Sequence, residues 1–395
     1  MRVRWLSDSE ARASLSMKWL AFDEDLLPAW VAEMDVALAP AIKTALHEAV
    51  ELNVSGYNTI GVPEKMGLNN AVASWHERLF GAPTDPNSVI IVPSVIGAVN
   101  LALAELLNRG DGIILNPPAY HPFFDVIDDA GLERIDVPME KTDQRFRLDL
   151  PEIESAFASG AKAILLCHPH NPTGSVATRD ELEELARIVD RYQGLVISDE
   201  VHGPLVTRGP TFVPYATVSR AASHHSVTAS STSKAFNIAG LKVAWLFTDN
   251  PDFDRILKAT PYSARTGASS LGLVAAKAAV ESCDDWLDEI TKELAQRHDL
   301  LQDLLRRYLP AAAAIRADAG FLAWVDFLSY PFMGDDPADW IKEHAKVVLN
   351  SGIIFGQTGE GHARLNVGTS AERLTRIIKQ IADAVGTRDQ NQKQN

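Results

Sequence analysis

The chain has 395 residues, 46% of them hydrophobic and 23% charged, with a formal net charge of −15. That length carries a sizeable core and two domains, and the acidic balance lacks the clustered basic face that a nucleic-acid partner requires. No apolar run is long enough for a membrane-spanning helix, the first residues lack the apolar stretch of a signal peptide, and Cys167 and Cys283 give no disulfide framework, so a reduced, cytoplasmic protein is expected.

In chain order, the segment up to residue 44 is punctuated by Pro and Trp and is expected to pack with the C-terminal part. From about residue 88, short apolar runs alternate with longer helical patterns. "SVIIV", "GIIL", "KAILLC", "LVIS", "SVTAS" and "KVAWLF" read as strands, and "TRDELEELARIVDRY" as an amphipathic helix. Near-continuous Val, Ile and Leu strands separated by helices predict a largely parallel sheet covered on both faces. This is a doubly wound α/β core spanning residues 45–275.

The pattern then changes. "DDWLDEITKELAQRHDLLQDLLRRYL" predicts one long helix or two in succession. Strands near "GFLAWVDF" and "ARLNV", a helix near "PADWIKEHAKVVLN" and a final helix from Ala371 predict a smaller α+β domain, built from residues 1–44 and 276–387. The polar residues 388–395 read as a flexible tail.

Four polar stretches each follow a predicted strand, which places them at the carboxyl edge of the sheet, where open α/β folds bind ligands. They are "NPPAYHPFF", "HPHNPTG", "DEVHG" and "SSTSKAF". Asp199 ends a strand buried on both faces, so an ionised carboxylate there needs a cation or several donors; taken alone it is equally a structural acid. Tyr120 can stack on a flat ligand or plug a core gap. Asn171, in a turn before Pro172, can offer its amide to a ligand oxygen or only make the turn. Lys234 sits among hydroxyls: its amine can condense with a carbonyl, while Ser231, Ser233 and Lys242 supply donors and charge to a phosphate. Cys167, His168 and His170 fall on alternate faces of an extended segment and do not make a metal cluster. "GEGHAR" is half of a dinucleotide fingerprint without the surrounding βαβ unit.

These residues together resemble the fold-type I family of pyridoxal phosphate (PLP) enzymes, the aspartate aminotransferase superfamily, and within it the MalY/PatB-type cystathionine β-lyases. "LPAWVAEMD", "GYNTIG", "PPAYHPFF", "HPHNPTG", "SDEVHGPLV", "TSKAFNIAGLK" and "ARLNV" match in order and spacing over nearly the whole chain. The resemblance implies that Lys234 bonds PLP, Asp199 pairs with the ring nitrogen, Asn171 bonds the ring hydroxyl oxygen and Tyr120 stacks on the ring. His202 stands where many aminotransferases have tyrosine, as in the lyase subgroup. Ser231, Ser233, Lys242 and the amides of Val95 and Ile96 face the phosphate. Tyr57 reaches the phosphate of a neighbouring subunit, which implies a homodimer. Arg364 takes the substrate α-carboxylate, with Ala32, Asn171 and Tyr120 beside it. The implied reaction is β-elimination on sulfur-bearing L-amino acids, L-cystathionine giving homocysteine, pyruvate and ammonia, as in methionine biosynthesis. An aminotransferase with the same residues and a regulatory protein-binding role beside the lyase activity are the alternatives.

Overall fold

The computed structural model describes residues 3–394. Seven strands form the central sheet: β1 (Ile90–Val92), β2 (Gly112–Leu115), β3 (Glu133–Asp136), β4 (Ala163–Cys167), β5 (Leu195–Asp199), β6 (Ser226–Ser230) and β7 (Ala244–Phe247). Their spatial order is β1-β7-β6-β5-β4-β2-β3. All neighbours are parallel except β7, which runs antiparallel to both β1 and β6. Every residue of β5 and β6 is buried, as helices on both faces require. The helix Arg179–Arg191 starts in a capping box between Thr178 and Glu181 and buries Leu182, Leu185 and Val189 against one face. The helix Val95–Leu106 covers the other, packing Val99 and Leu103 in the cluster that holds Leu165 and Ile197.

The sheet has one strand the apolar pattern did not predict. β3 reads "ERID", exposed at the edge and held by β2 alone. Charged side chains are what a sheet edge tolerates, so no apolar alternation marks it.

The second sheet is antiparallel, in the order β8 (Ala313–Ala314), β9 (Leu322–Asp326), β11 (His362–Asn366), β10 (Asn350–Ser351). The long apolar pattern before it is a single helix, Asp284–Tyr308. The helix in "PADWIKEHAKVVLN" stops at Ala345; Lys346 turns left-handed (φ 57°), and Val347–Val348 instead pairs in parallel with Leu27–Pro28 of the N-terminal segment. The last helix is Ala371–Gln394, so the backbone is helical through the polar stretch whose composition suggested a tail; Asn395 lies outside the described residues.

One buried side chain carries a stability consequence. His76 is 1% exposed, both its ring nitrogens lack hydrogen-bond partners, and Trp75, Phe80, Trp245 and Phe247 surround it edge-on. Burial lowers its pKa to about 4. The unfolded chain takes up this proton near pH 6.5, well before the folded one, so stability falls as pH drops from about 6.5 towards 4. Between pH 7 and pH 5 this residue is expected to cost about 2 kcal/mol. Urea unfolding of the apoprotein checks it: His76→Leu should lose less stability over that interval than the parent, by roughly that amount.

Candidate functional site

A cavity of about 150 Å³ opens at the carboxyl ends of β4, β5 and β6. Its lining includes Ala32, Val95, Ile96, Tyr120, Asn171, Asp199, His202, Ser231, Ser233, Lys234 and Lys242, drawn from six separate stretches of the chain. Three larger clefts, of about 580 Å³ beside Ser55 and Ser269, about 550 Å³ beside Trp324 and His362 and about 430 Å³ beside Ile60 and Arg265, contain none of these groups.

Lys234 follows β6 in a tight turn. Ser231 Oγ donates to the Val243 carbonyl (2.7 Å) and accepts from the Ser233 amide (2.9 Å). The Ser231 hydroxyl, expected to serve a phosphate, is therefore engaged in the turn itself. The Lys234 amine donates to the Ala32 carbonyl at 3.0 Å. Burial first, and the Arg364 charge second, lower its pKa to about 8, against weaker opposing pulls from Glu33 and Asp199.

Ala32 belongs to a strap that is fastened on both sides. Asn237, left-handed at φ 56°, brackets Met34 with its amide, accepting from the backbone N–H at 2.7 Å and donating to the carbonyl at 2.8 Å. The Asp35 carboxylate is buried against Lys18 (2.8 Å), Arg373 (2.9 Å) and the Trp19 indole (2.8 Å). Such a network fixes the backbone closely, and with it the carbonyl that seats the amine.

Asp199, at the end of β5, is 4% exposed. One oxygen accepts from the Val201 amide at 3.1 Å, and among the described residues no cation forms an ion pair with it. Burial raises its pKa to about 6, moderated by the Val201 amide and the Lys234 charge. His202, also buried, has its pKa lowered to about 3 by burial and by Lys234 and Arg364, so its ring is neutral. Burial raises the Tyr120 pKa, which keeps the phenol protonated.

Asn171 is placed by the turn "HNPTG", which ends at Gly174 with φ +70°; a Cβ there would lie 2.4 Å from Ala317 Cβ, so only glycine fits. Its Oδ1 accepts from Arg364 Nη1 at 3.0 Å, while among the described residues its Nδ2 has no acceptor. Arg364 points inward from the middle of β11 and is 2% exposed. Its Nη2 donates to Asn350 Oδ1 (2.7 Å) and to the Trp30 carbonyl (3.2 Å), its guanidinium lies 4.9 Å from the Phe355 ring centroid, and Nε has no partner. Every partner is neutral, and burial lowers the arginine pKa to about 10.

Ser94 caps the helix Val95–Leu106 by accepting from the Gly97 amide at 3.0 Å, and Val95 and Ile96 at the start of that helix line the cavity. Lys242, left-handed at φ 56° and ψ 60°, also lines the cavity, and among the described residues it makes no ion pair. Two predicted site residues stand outside the lining of this cavity: Arg364 meets it through its bond to Asn171, whereas Tyr57 is fully exposed, in a separate surface cleft with Thr266 and Ser270.

The site thus gathers an amine, an unpaired carboxylate, an arginine held only by neutral acceptors, a free amide donor, an aromatic ring and the start of a helix. Sequence reasoning missed Asn350, Phe355 and the Trp30 carbonyl, which shape the arginine. Asn350 and Phe355 lie in none of the matching motifs, and although Trp30 lies in "LPAWVAEMD", a backbone carbonyl carries no residue signal. Among the described residues there is no cluster of three potential metal ligands, and His168 and His170 spend their ring nitrogens on Val213, Thr173 and Asn116.

Residues 31–381 match the family model described as aminotransferase class I and II. The chain is 36% identical to the cystathionine beta-lyase of Corynebacterium glutamicum, across 97% of this chain and 100% of that protein. It is 30% identical to the cystathionine beta-lyase PatB of Bacillus subtilis, across 95% and 98%. The crystal structure of a putative PLP-dependent beta-cystathionase from Corynebacterium diphtheriae superposes with a TM-score of 0.91 at 34% identity, across 97% of this chain and 99% of that one.

Proposed function

We propose that this chain, which belongs to the class I and II aminotransferase family, is a PLP-dependent carbon–sulfur lyase acting on L-cystathionine and related S-substituted L-cysteines. The observation that carries the proposal is a set of charges without counter-ions in and beside one cavity: the buried Asp199 carboxylate and the half-buried Lys234 amine in its lining, and the buried Arg364 guanidinium bonded to Asn171 of that lining. Isolated buried charges are costly, so each is expected to meet its complement on a ligand.

PLP fits this donor set. Its aldehyde suits Lys234, its ring nitrogen Asp199, its ring oxygen the free Nδ2 of Asn171, its flat ring Tyr120, and its phosphate the helix end at Val95 and Ile96 with Ser233 and Lys242. When bound, it supplies an electrophilic carbon for an amine and a ring that accepts electron density from Cα.

The protein's own groups do the rest. Arg364 and Asn171 fix the substrate carboxylate and so orient the Cα–H bond. The Lys234 amine, seated by the Ala32 carbonyl and with its pKa lowered to about 8, takes the Cα proton as the thiolate departs from Cβ. Tyr120, which lines the cavity and is held as a neutral phenol, protonates the leaving sulfur in this reading. Hydrolysis of the remaining three-carbon fragment gives pyruvate and ammonia. Proton removal is common to transamination; the product test separates the two. With L-cystathionine and no added keto acid, homocysteine and pyruvate are expected in equal amounts, and turnover only with a keto acid present would establish the aminotransferase instead.

Three finer points belong to the same reading. Tyr57, exposed here, completes the phosphate site of a second copy in a homodimer. The enzyme works in the cytoplasm, in methionine supply. Lys242 holds the phosphate as a point charge. For the last, Lys242→Ala should raise the Kd for PLP by about 10- to 100-fold, the range of a lost charge-assisted hydrogen bond, in an equilibrium titration of the apoprotein. An unchanged Kd would remove Lys242 from the site.

A further inference from the structure

Arg364 has an unusual set of neighbours. A buried guanidinium normally lies against a carboxylate. Here its three acceptors are the amide oxygens of Asn171 and Asn350 and the Trp30 backbone carbonyl. Asn350 makes the shortest of these contacts, 2.7 Å, and its position is fixed by the sheet: on β10 it stands directly opposite Arg364 on β11. Directly opposite residues share a face, so the two side chains emerge side by side. Asn350 is 9% exposed, and among the described residues its Nδ2 has no acceptor.

We infer that Asn350 is a positioning residue for substrate binding, one that holds the Arg364 fork in place through a neutral oxygen and so leaves the full guanidinium charge to the incoming α-carboxylate. The inference rests on the reading that Arg364 receives that carboxylate. An aspartate of the same size at position 350 would hold the fork equally well but would neutralise it in advance. The amide therefore meets two demands at once. It satisfies a buried N–H, which would otherwise incur its full desolvation cost, and it avoids an internal competitor for the substrate.

Four proteins test this: the parent, Asn350→Asp, Asn350→Ala and Arg364→Ala, each loaded with PLP. The measurements are KM and kcat for L-cystathionine and the Kd for S-ethyl-α-methyl-L-cysteine, which has no Cα proton to lose. Asn350→Asp is expected to raise KM and Kd about 100-fold or more with kcat within a few-fold of the parent, the signature of lost ground-state binding. Asn350→Ala should raise them less, by about 3- to 10-fold, since the fork loosens but keeps its charge. A merely structural role would shift the melting temperature of both variants and leave the split between KM and kcat unmoved. If Asn350→Asp binds the analogue like the parent while Arg364→Ala does not, the inference falls and the carboxylate reading stands. If Arg364→Ala also binds like the parent, both fall.

Discussion

Replacing Lys234 by alanine is expected to lower kcat for β-elimination by about 10³-fold or more, at the upper end of what a positioned general base contributes. The variant should still fold, because among the described residues the lysine side chain gives up one hydrogen bond, to the Ala32 carbonyl. It should also lose covalent attachment of PLP, so cofactor that remains should leave on dialysis. The same residue sets a pH dependence. With a pKa of about 8 in the free protein, roughly one amine in ten is unprotonated at pH 7. The rate of PLP attachment should rise about tenfold from pH 6 to 7, about fivefold from pH 7 to 8, and then level off. Stopped-flow absorbance of apoprotein mixed with PLP measures this directly. Pyruvate release by Lys234→Ala within about fivefold of the parent would deny the lysine its role.

The second large effect is at Asp199, where function and stability pull in opposite directions. Its pKa of about 6 is raised from 3.8, so the folded apoprotein holds this proton more tightly than the unfolded chain. A raised carboxylate contributes stability that is present below the unfolded pKa and is lost as pH rises through the folded pKa. At neutral pH the ionised group therefore costs the empty protein about 2–3 kcal/mol. Asp199→Asn keeps an oxygen for the Val201 amide and removes the charge. It should raise the apoprotein's melting temperature while weakening PLP binding and lowering kcat, each by about 10²-fold or more, as expected when one partner of a buried charge pair is removed. For the parent, PLP affinity should fall as pH drops below about 6, and Asp199→Asn should flatten that dependence. Calorimetry of the apoproteins and PLP titrations across pH 5–8 read both signs; a variant that is less stable and binds PLP normally would contradict the account.

What the sequence disclosed follows its physical chemistry. Six of the seven central strands were legible as short uncharged or apolar runs, four of them dominated by Val, Ile and Leu, while β6 ("SVTAS") and β7 ("AWLF") fill buried positions with small or aromatic side chains. The direction of β7 was not, since a strand buried on both faces shows the same pattern whichever way it runs. Lys234, Asp199, Asn171 and Tyr120 meet in one cavity because each follows a strand on the same sheet edge. Arg364 comes from the other sheet and was legible only through the resemblance of "ARLNV"; its bond to Asn171 ties the two sheets together. Asn350 was invisible because a lone asparagine on a two-residue strand carries no pattern. Ser231 lines the cavity as expected, but its hydroxyl also donates to the Val243 carbonyl, a second use that the sequence did not signal.

The central claim is that the amine at position 234 forms the bond to PLP. Borohydride reduction of freshly purified protein, followed by intact-mass and peptide-level mass spectrometry, tests it most directly. One reduced pyridoxyl-phosphate group per chain, on the peptide containing Lys234, is the expected result. An unmodified chain, or the group on another lysine, would contradict it.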